Sequence, residues 1–510
     1  MNQYFLVIDA GTGSIRAIIF DTLGNQISIE QYEWSHIAQE GVPGSMGFDF
    51  IGGWELAKRC IRECIAKSGI SSKEIIAVSA SSMREGIVVY DKDKNELWGV
   101  ANVDSRAGAE VAQLKREHST MERDFYKSSG QTFALSAAPR LLWLKNHQPS
   151  LYEKAVYFTM ISDWILFKLC GELSCEPSNA GTAGAFSLIK RNWEKEQFSQ
   201  CGLKDLFVPI LESGEVLGTI TQKACDETGL DINTLVVMGG GDVQIGTAGL
   251  GANKLGDAVV LGGSFWQQVV NISSDTTLSD EMLLRVNPHV VRGMSQAEGI
   301  TFFTGLVMRW FRDALGSGRS YSELEALASK VPVGSYGITP VFSDRMNYGE
   351  WIHASPSFIG LGLDADKYNI ASMFRALEEN ACIVSAINLE NIKAFSGVAP
   401  KSLIFASGAS QGALWSQILA DVTGLEVNVP VVKEATALGV AMAAGIGAGV
   451  YSSFEEAGQN IVKMERSYEP NLSNYHLYGE MKEKWIKVYS KQMELVRDGV
   501  VEPLWKAPGL

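Results

Sequence analysis

Two similar β-hairpins, half a chain apart, constrain the fold of this sequence more than any other feature. One is predicted over residues 4–21 and the other over residues 258–271, and each turns at small residues that include Gly and Ser. Apolar runs joined by such short turns form neighbouring antiparallel strands. A chain that shows the same opening twice is predicted to contain two copies of one domain.

The length of the chain agrees with a duplicated domain. A single hydrophobic core rarely grows beyond roughly 250 to 300 residues, and this sequence has 510. We therefore predict an N-terminal domain over residues 1–250 and a C-terminal domain over residues 251–510. The boundary is placed at residues 248–256, where small, flexible residues are concentrated.

Strand and helix patterns along the rest of the chain predict an α/β fold. Further strands are expected at 26–34, 75–79, 87–90, 235–238 and 403–406, and helices at 54–67, 300–315, 373–392, 414–422 and from 480. Residues 435–451 are mostly Ala and Gly and are too few to span a membrane. We predict that they form a tightly packed internal helix.

The charge of the chain excludes several classes of partner. It has 44 Lys and Arg against 58 Asp and Glu, a net charge of −14, so we predict no binding to nucleic acid or to a membrane. The seven Cys residues include no Cys-x-x-Cys pair, which disfavours a zinc site. The first residues lack the features of a signal peptide, and we expect a cytoplasmic protein.

The turn of the first hairpin carries residues suited to binding phosphate. Asp9 ends the first strand and is followed by Ala-Gly-Thr-Gly-Ser and then, after one residue, by Arg16. Amides and hydroxyls of Thr12, Gly13 and Ser14 could hold phosphate oxygens, and Asp9 could hold the water shell of Mg²⁺. An ordinary hairpin turn is the alternative. A strand rather than a helix follows, which excludes a dinucleotide-binding fingerprint, and the chain has no Gly-Lys-Ser/Thr P-loop.

A carboxylate follows a run of three glycines near the end of the first predicted domain. Asp242 stands after Gly239-Gly240-Gly241, at the end of a predicted strand. There it can accept a proton from a substrate hydroxyl as a general base, or it can merely cap the following helix. In the second hairpin, Gly263 and Ser264 form a turn whose donors could bind a terminal phosphate.

A third loop of small residues joins a strand to a helix in the second predicted domain. Ser407, Gly408, Ala409 and Ser410 follow the strand expected at 403–406. Backbone N–H groups at a helix N-terminus attract anions, and small residues let an anion approach them. The loop is therefore a candidate nucleotide platform.

Charged residues also stand at the ends of elements in the first half. Arg84 and Glu85 follow the strand expected at 75–79, and Asp104 lies within Asn-Val-Asp-Ser-Arg. Two interpretations are open, because such residues form either an ordinary salt bridge or a cluster that binds a polyol.

These motifs, in this order, resemble those of the FGGY family of carbohydrate kinases. The resemblance extends through residues 405–424 and 434–439 and covers nearly the whole chain. It implies an actin-like ATPase fold, in which two ribonuclease-H-like domains with mixed sheets flanked by helices enclose a cleft. It also implies ATP and Mg²⁺, with ATP mostly on the second domain and the sugar mostly on the first.

The resemblance implies a role for each matched residue, with Asp242 as the catalytic base. Asp9 would hold Mg²⁺ through water. Phosphate and adenosine would be bound by Thr12, Gly13, Ser14, Arg16, Gly263, Ser264, Gly408, Ala409 and Ser410. The substrate would be bound by Arg84, Glu85, Asp104 and Asn179. The family's adenosine loop usually reads Gly-Gly-Gly, so Ser407-Gly408-Ala409-Ser410 is a departure that concerns nucleotide affinity.

The reaction implied is ATP-dependent phosphorylation of a hydroxyl of a small polyol or sugar-like substrate. Stretches such as 82–90 and 285–289 resemble the branch of the family that acts on an open-chain five-carbon signal molecule. Xylulose, ribulose or glycerol kinase activity is the alternative within the family. An actin-like assembly or chaperone ATPase is the alternative outside it, and the sequence identifies no regulatory protein partner.

Overall fold

Two large mixed β-sheets form the centre of the molecule. The computed structural model describes residues 3–346, 350–432 and 434–506. The N-terminal sheet has the strand order Val216–Thr219, Leu235–Gly241, Ile75–Ser82, Tyr4–Ala10, Ser14–Asp21 and Gln26–Glu33. The C-terminal sheet has the order Arg285–Pro288, Met294–Thr301, Trp266–Ser273, Ala258–Gly262, Ser402–Ala406, Glu426–Pro430 and Met464–Tyr468.

Both sheets are built in the same way. In each, the first strand of the hairpin, Tyr4–Ala10 or Ala258–Gly262, pairs antiparallel with the second. On its other side it pairs parallel with a later strand, Ile75–Ser82 or Ser402–Ala406. A further antiparallel strand extends each hairpin. This repeated order confirms the predicted α/β fold with two mixed sheets.

Helices cover the faces of the sheets, and their apolar sides supply most of the core. In chain order they are Phe50–Ser68, Gly108–Glu117, Met121–Ser129, Ala137–His147, Pro149–Lys154, Ile161–Cys170, Pro177–Ala180, Lys195–Gln200, Gln222–Thr228, Asp242–Gly249, Thr304–Leu315, Tyr321–Ala328, Ile370–Ser396, Ala413–Thr423, Ala435–Gly447, Phe454–Ile461 and Leu472–Arg497. Short strands pair outside the two sheets at Ile87–Tyr90, Glu96–Val100 and Tyr157–Met160, at Phe186–Ser187 and Asn192–Trp193, and at Thr339–Val341 and Ser357–Ile359.

The small-residue helix Ala435–Gly447 is packed as tightly as its composition predicts. It crosses the helix Asp242–Gly249 so closely that a Cβ atom on Gly439 would lie 1.9 Å from the carbonyl oxygen of Ile245. Only glycine fits such a contact between two backbones. Although this helix comes late in the sequence, it belongs to the hydrophobic cluster of Phe5 in the N-terminal sheet. It therefore connects the C-terminal half to the helix that begins at Asp242.

Several predicted helix boundaries differ from those of the structure; the helix predicted over residues 54–67, for example, begins at Phe50. The helix predicted over residues 300–315 begins at Thr304, because the preceding apolar residues belong to the strand Met294–Thr301. The last helix was predicted from residue 480 but begins at Leu472, where Asn471 accepts hydrogen bonds from the first-turn amides. The first turns of this helix are largely exposed, so they carry little apolar periodicity. Within the described residues, no helix combines the length and the apolar character needed to cross a membrane.

Candidate active site

One edge of the N-terminal sheet collects three of the predicted site residues. Three strands run parallel there: the first strand, its neighbour ending at Ser82 and the strand ending at Gly241. Asp9 is the penultimate residue of the first, Arg84 lies two residues beyond the second and Asp242 follows the third. Ligand sites in α/β proteins lie beyond the carboxyl ends of parallel strands. The topology thus places these side chains at one site.

Asp242 is the first residue of its helix, and it does not cap it. Gly241 occupies the capping position. The Asp242 carboxylate accepts a hydrogen bond of 2.8 Å from the amide of its neighbour Val243, not from an amide farther along the helix. The Asp242 side chain is 38% exposed, and its Oδ1 lies 3.7 Å from Nε of Arg84. The carboxylate is therefore held at the edge of the cleft with lone pairs left for a ligand, and the capping alternative does not describe its geometry.

The surroundings of Asp242 raise the pKa of its carboxyl to near neutral pH. Desolvation raises its pKa, the Arg84 guanidinium lowers it, and the carboxylates of Glu85 and Asp9 raise it again, to about 7. A general base works best when its pKa lies near the operating pH. Asp242 therefore has both the exposure and the proton affinity that proton abstraction requires.

This pKa gives an expected pH profile. Only the ionised form of Asp242 accepts a proton, so kcat/KM should fall about tenfold per pH unit below about pH 7 and level off above it. The measurement is kcat/KM for the acceptor between about pH 5 and pH 9, at saturating nucleotide. A rate that stays constant down to about pH 5 would exclude Asp242 as the titrating base.

Asp9 lies deeper in the same edge. Its Oδ1 accepts a hydrogen bond of 2.9 Å from the Ser81 hydroxyl. Burial raises the pKa of the Asp9 carboxyl, while Arg16 and the Ser81 hydroxyl act in the opposite direction. The Arg16 guanidinium also contacts the carboxylate of Glu434, so it is paired on the side facing the C-terminal half.

The turn of the first hairpin is open to solvent. Thr12 and Gly13 are exposed, and Ser14 is half-buried at the start of the second strand. The Asn102 amide donates a hydrogen bond of 3.0 Å to the Thr12 hydroxyl. The backbone donors of the turn are therefore accessible at the edge that carries Asp9.

Two further loops meet at the corresponding edge of the C-terminal sheet. The strands Ala258–Gly262 and Ser402–Ala406 are parallel neighbours, so the loops that follow them lie side by side. Gly263 and Ser264 form an exposed turn. In the other loop Gly408 is exposed, whereas the Ser410 hydroxyl is turned inward and donates to the backbone carbonyl of residue 407 over 2.8 Å. The Ser410 amide donates to the same carbonyl over 3.2 Å, and the Ser410 carbonyl accepts from Arg466 over 3.0 Å, so contact of this buried residue with a ligand stays a prediction.

The two residues that depart from the family's adenosine loop, Ser407 and Ala409, have different effects on its structure. Ser407 has a φ of +77°, in the left-handed region that glycine adopts without strain. A Cβ atom on Gly262 would lie 2.7 Å from Cβ of Ala409, so Ala409 fills the space beside the neighbouring phosphate turn. Ser407 therefore adds backbone strain to the loop, and Ala409 tightens the contact between the two loops.

A cavity of about 410 Å³ lies beside Asp242, between the two halves of the molecule. That volume is within the usual range for small-molecule sites. The N-terminal half supplies most of the polar wall residues, among them Arg84, Glu85, Asn102 and Arg140, together with small and apolar ones. The C-terminal half supplies Arg285 and a set of large apolar side chains: Phe265, Ile300, Phe302, Phe303, Met346, Trp351 and Trp505. Asp242 is not part of the wall, but its carboxylate lies 3.7 Å from the wall residue Arg84.

Backbone strain is concentrated in the wall of this cavity. Of the eleven non-glycine residues with positive φ in the described chain, four line it: Glu85, Leu135, Phe303 and Trp351. Each such conformation costs roughly 1–3 kcal/mol and persists only where its surroundings enforce it. Strain of this kind accumulates at ligand sites, and it supports this cavity as the candidate site independently of its residue types.

Two buried ion pairs join the halves across the cavity. The Arg84 guanidinium donates two hydrogen bonds to the Glu298 carboxylate, of 2.6 and 3.1 Å. Glu85 contacts Arg285, and although burial raises the pKa of the Glu85 carboxyl, Arg285 and Arg84 bring it below its usual value. Arg140 donates to the backbone carbonyl of Glu85 over 2.5 Å. The wall residues of the first half are thus held in place by residues of the second.

Asp104 lines the cavity with its side chain buried, whereas Asn179 is not part of the wall. The Asp104 side chain has 0% exposure, and its carboxylate is bound by the Arg106 guanidinium and the Met46 amide. The buried Asn179 amide donates to the hydroxyls of Ser82 and Ser162. In this geometry both residues support the loops around the site, and their direct contact with a substrate stays a prediction.

Several residues of this site were not predicted from the sequence. Arg285 and Glu298 form its charge pairs, Arg140 donates to backbone carbonyls of the wall, and aromatic side chains of the second half form much of that wall. Glu298 gave one signal, since it is the only charged residue in the buried strand Met294–Thr301. A buried charge requires a partner, but no pattern in the sequence names that partner.

Family models match both halves of the chain. The model for the FGGY family of carbohydrate kinases, N-terminal domain, matches residues 4–249, and the model for the C-terminal domain of the same family matches residues 267–448. Autoinducer-2 kinase of Salmonella typhimurium is 53% identical over 100% of this chain and 98% of its own length. Autoinducer-2 kinase of Escherichia coli K12 is 52% identical over 99% of this chain and 98% of its own.

Solved structures share the fold at lower identity. Xylulose kinase from Rhodospirillum rubrum superposes with a TM-score of 0.87 and 21% identity, covering 97% of this chain and 100% of the other. Plasmodium falciparum glycerol kinase, solved with ADP, superposes with a TM-score of 0.84 and 16% identity, covering 96% and 98%. These matches confirm the predicted two-domain architecture.

Proposed function

The chain belongs to the FGGY family of carbohydrate kinases and is an ATP-dependent kinase, and we propose that its acceptor is autoinducer-2, the open-chain five-carbon signal dihydroxypentanedione. The observation that carries this proposal is an identity of 53% to an autoinducer-2 kinase over the whole chain. The size of the cavity and the hydrogen-bonding groups in its wall support it. The product we propose is the 5-phosphate, formed at the terminal primary hydroxyl.

In the proposed mechanism, Asp242 accepts the proton of the attacking hydroxyl. Its free lone pairs, its exposure and its pKa of about 7 suit that role. The hydroxyl oxygen forms a bond to the γ-phosphorus as the bond to the β-γ bridging oxygen breaks, so ADP leaves. Phosphoryl transfer depends mainly on positioning and charge stabilisation, and Arg84 stands 3.7 Å from the base to fix its orientation.

Residues of the N-terminal edge fit Mg²⁺, which the proposal includes. Asp9 offers a carboxylate beside the first phosphate turn, and its Oδ1 accepts a hydrogen bond from the Ser81 hydroxyl. Mg²⁺ usually takes one or two carboxylates, several waters and substrate phosphates. Within the described residues no group of three or more His, Cys, Asp or Glu could hold a metal ion by itself. When bound, the ion would neutralise charge that develops on the phosphates.

The two edges divide the nucleotide between them in this proposal. Thr12, Gly13 and Ser14 would bind phosphate from the first sheet, and Gly263 and Ser264 from the second. Gly408, Ala409 and the backbone of Ser410 would border the adenosine, which extends away from the cavity. Arg16 is assigned to phosphate as well, and it would first have to leave Glu434.

The polar part of the cavity suits a dione that also carries hydroxyl groups. Carbonyl oxygens only accept hydrogen bonds, and the Asn102 amide together with the guanidinium groups of Arg84 and Arg285 can donate them. The Glu85 carboxylate can accept from a hydroxyl. The large aromatic side chains opposite leave room for a short chain.

An acceptor panel tests the proposed function. ADP release should be stimulated by the acceptor, and kcat/KM for dihydroxypentanedione should exceed that for xylulose, ribulose and glycerol by at least about tenfold. Equal ADP release with and without every acceptor would contradict a kinase of small molecules. Sedimentation of the chain only with ATP would instead support an actin-like assembly ATPase.

We also propose that residues 1–250 form the substrate domain, which carries the base, and that residues 251–510 form the nucleotide domain. We propose the cytoplasm as the location of the protein. All seven cysteines are free thiols, and six of them are buried, which suits a reducing compartment. Tryptic fragments that separate near residue 250 would support the proposed boundary.

A further inference from the structure

The segment after the last long helix covers the acceptor cavity. The chain turns at Gly499, which has a φ of +67°, and then runs beside the segment that contains His353. The amide of Leu504 donates to the carbonyl of Ala354 over 3.3 Å, and the amide of His353 donates to the carbonyl of Trp505 over 3.0 Å. These few backbone bonds bring the half-buried indole of Trp505 to the cavity wall.

Trp505 is one of a continuous layer of rings. Its centroid lies 5.9 Å from Phe302, 6.3 Å from Trp351 and 5.8 Å from His353. Phe302 in turn lies 5.0 Å from Phe265, which directly follows the turn of Gly263 and Ser264. The layer therefore extends from the C-terminal segment to the loop assigned to phosphate.

A buried carboxylate fixes the part of the layer against which Trp505 packs. Asp344 contacts the His353 imidazole, accepts from the Ala354 amide over 2.8 Å, and its carbonyl accepts from the Phe302 amide over 2.8 Å. His353 is stacked on Phe302 at 4.1 Å. The surface beneath Trp505 is thus fixed by these hydrogen bonds, whereas in the described part of the C-terminal segment Trp505 is attached to it through the two backbone bonds given above.

From this arrangement we propose that Trp505 is a positioning residue that closes the acceptor cavity, limits the size of the acceptor and keeps water from the reacting phosphorus. The inference rests on the proposed function. Without the indole, water can replace the acceptor hydroxyl. Water would then attack the γ-phosphorus, give its proton to Asp242 and release ADP and inorganic phosphate.

The test compares Trp505→Ala with Trp505→Phe and with Trp310→Ala in the full chain. Trp310 is a matched control, because it is 46% exposed and stacks on Phe342, and it does not line the cavity. Trp505→Ala should raise the KM for dihydroxypentanedione roughly 10- to 100-fold and raise the ratio of inorganic phosphate to phosphorylated product. The KM for ATP should stay within about twofold. Trp505→Phe should keep both the acceptor KM and the phosphate ratio close to the wild-type values. Trp310→Ala should change neither of them.

Unchanged acceptor KM and unchanged phosphate ratio in Trp505→Ala would overturn the inference. So would a common loss of ATP and acceptor affinity in Trp505→Ala and Trp505→Phe together, since that pattern indicates a general disturbance of the fold. A wild-type protein that phosphorylates no acceptor would refute the proposed function instead. The ATP hydrolysis of Trp505→Ala without acceptor, compared with that of the wild type, would still decide whether the indole excludes water.

Discussion

Replacing Asp242 by asparagine is expected to lower kcat roughly 10²- to 10⁴-fold, the usual share of a positioned general base. Asparagine has nearly the same shape, so the contact with Arg84 and the start of the helix should survive. It cannot accept the proton of the acceptor hydroxyl. The measurement is steady-state ADP release with saturating acceptor and ATP, and the KM for ATP should change little because Asp242 lies on the acceptor side of the cleft.

The stability of the same variant provides its control. The pKa of Asp242 is raised on folding from 3.8 to about 7, so the folded state binds the proton more tightly than the unfolded state. Such a group lowers stability as pH rises from the unfolded toward the folded pKa, and the penalty is complete above about pH 7. Asp242→Asn should therefore be at least as stable as the wild type at about pH 8. As a control, Asp226→Asn at an exposed position should leave both activity and stability unchanged. Normal turnover in Asp242→Asn would show that Asp242 is not the base.

Local sequence patterns were sufficient to predict the edges of the two sheets but not the contacts between them. The glycine turns after Asp9 and before Asp242 are local features, because a strand must end and a loop must follow within a few residues. The family resemblance added their common purpose. The helix Ala435–Gly447 was predicted as tightly packed because its small residues admit a close crossing, although its partner helix could not be named.

Charge pairing in the cavity depends on residues that are far apart in the sequence. Arg84 and Glu298 are separated by 214 positions, and Trp505 reaches the cavity only because the chain reverses after a long helix. No periodicity encodes such pairs, since they are set by how two separately formed sheets face each other. Asp104 shows a local pair instead: its short motif predicted a site residue, it lines the cavity, and its carboxylate is bound by Arg106 two residues away.

Glu298→Ala is expected to destabilise the protein by roughly 3–5 kcal/mol, because it leaves Arg84 buried without its main partner. The Glu298 side chain is fully buried and that of Arg84 is 8% exposed. Burial acts to lower the pKa of the Arg84 guanidinium, and Glu298, followed by Glu85, raises it well above its usual range. Arg84 therefore stays charged and must find another partner or open the interface to water. Urea unfolding of the variant and the wild type measures the loss.

A second measurement separates positioning from simple loss of stability. Without Glu298, the Arg84 guanidinium has Asp242 and Glu85 as its remaining partners, so it should lower the pKa of Asp242. The acid limb of the kcat/KM profile should then move to lower pH, an effect that a general loosening of the fold does not produce.

Replacing both residues of the pair, as Arg84→Met with Glu298→Leu, should recover much of the stability, since apolar isosteres often substitute well for a buried ion pair. Its activity should remain low because the acceptor loses Arg84. Full stability in Glu298→Ala, together with an unshifted profile, would show that this pair neither joins the two halves nor tunes the base.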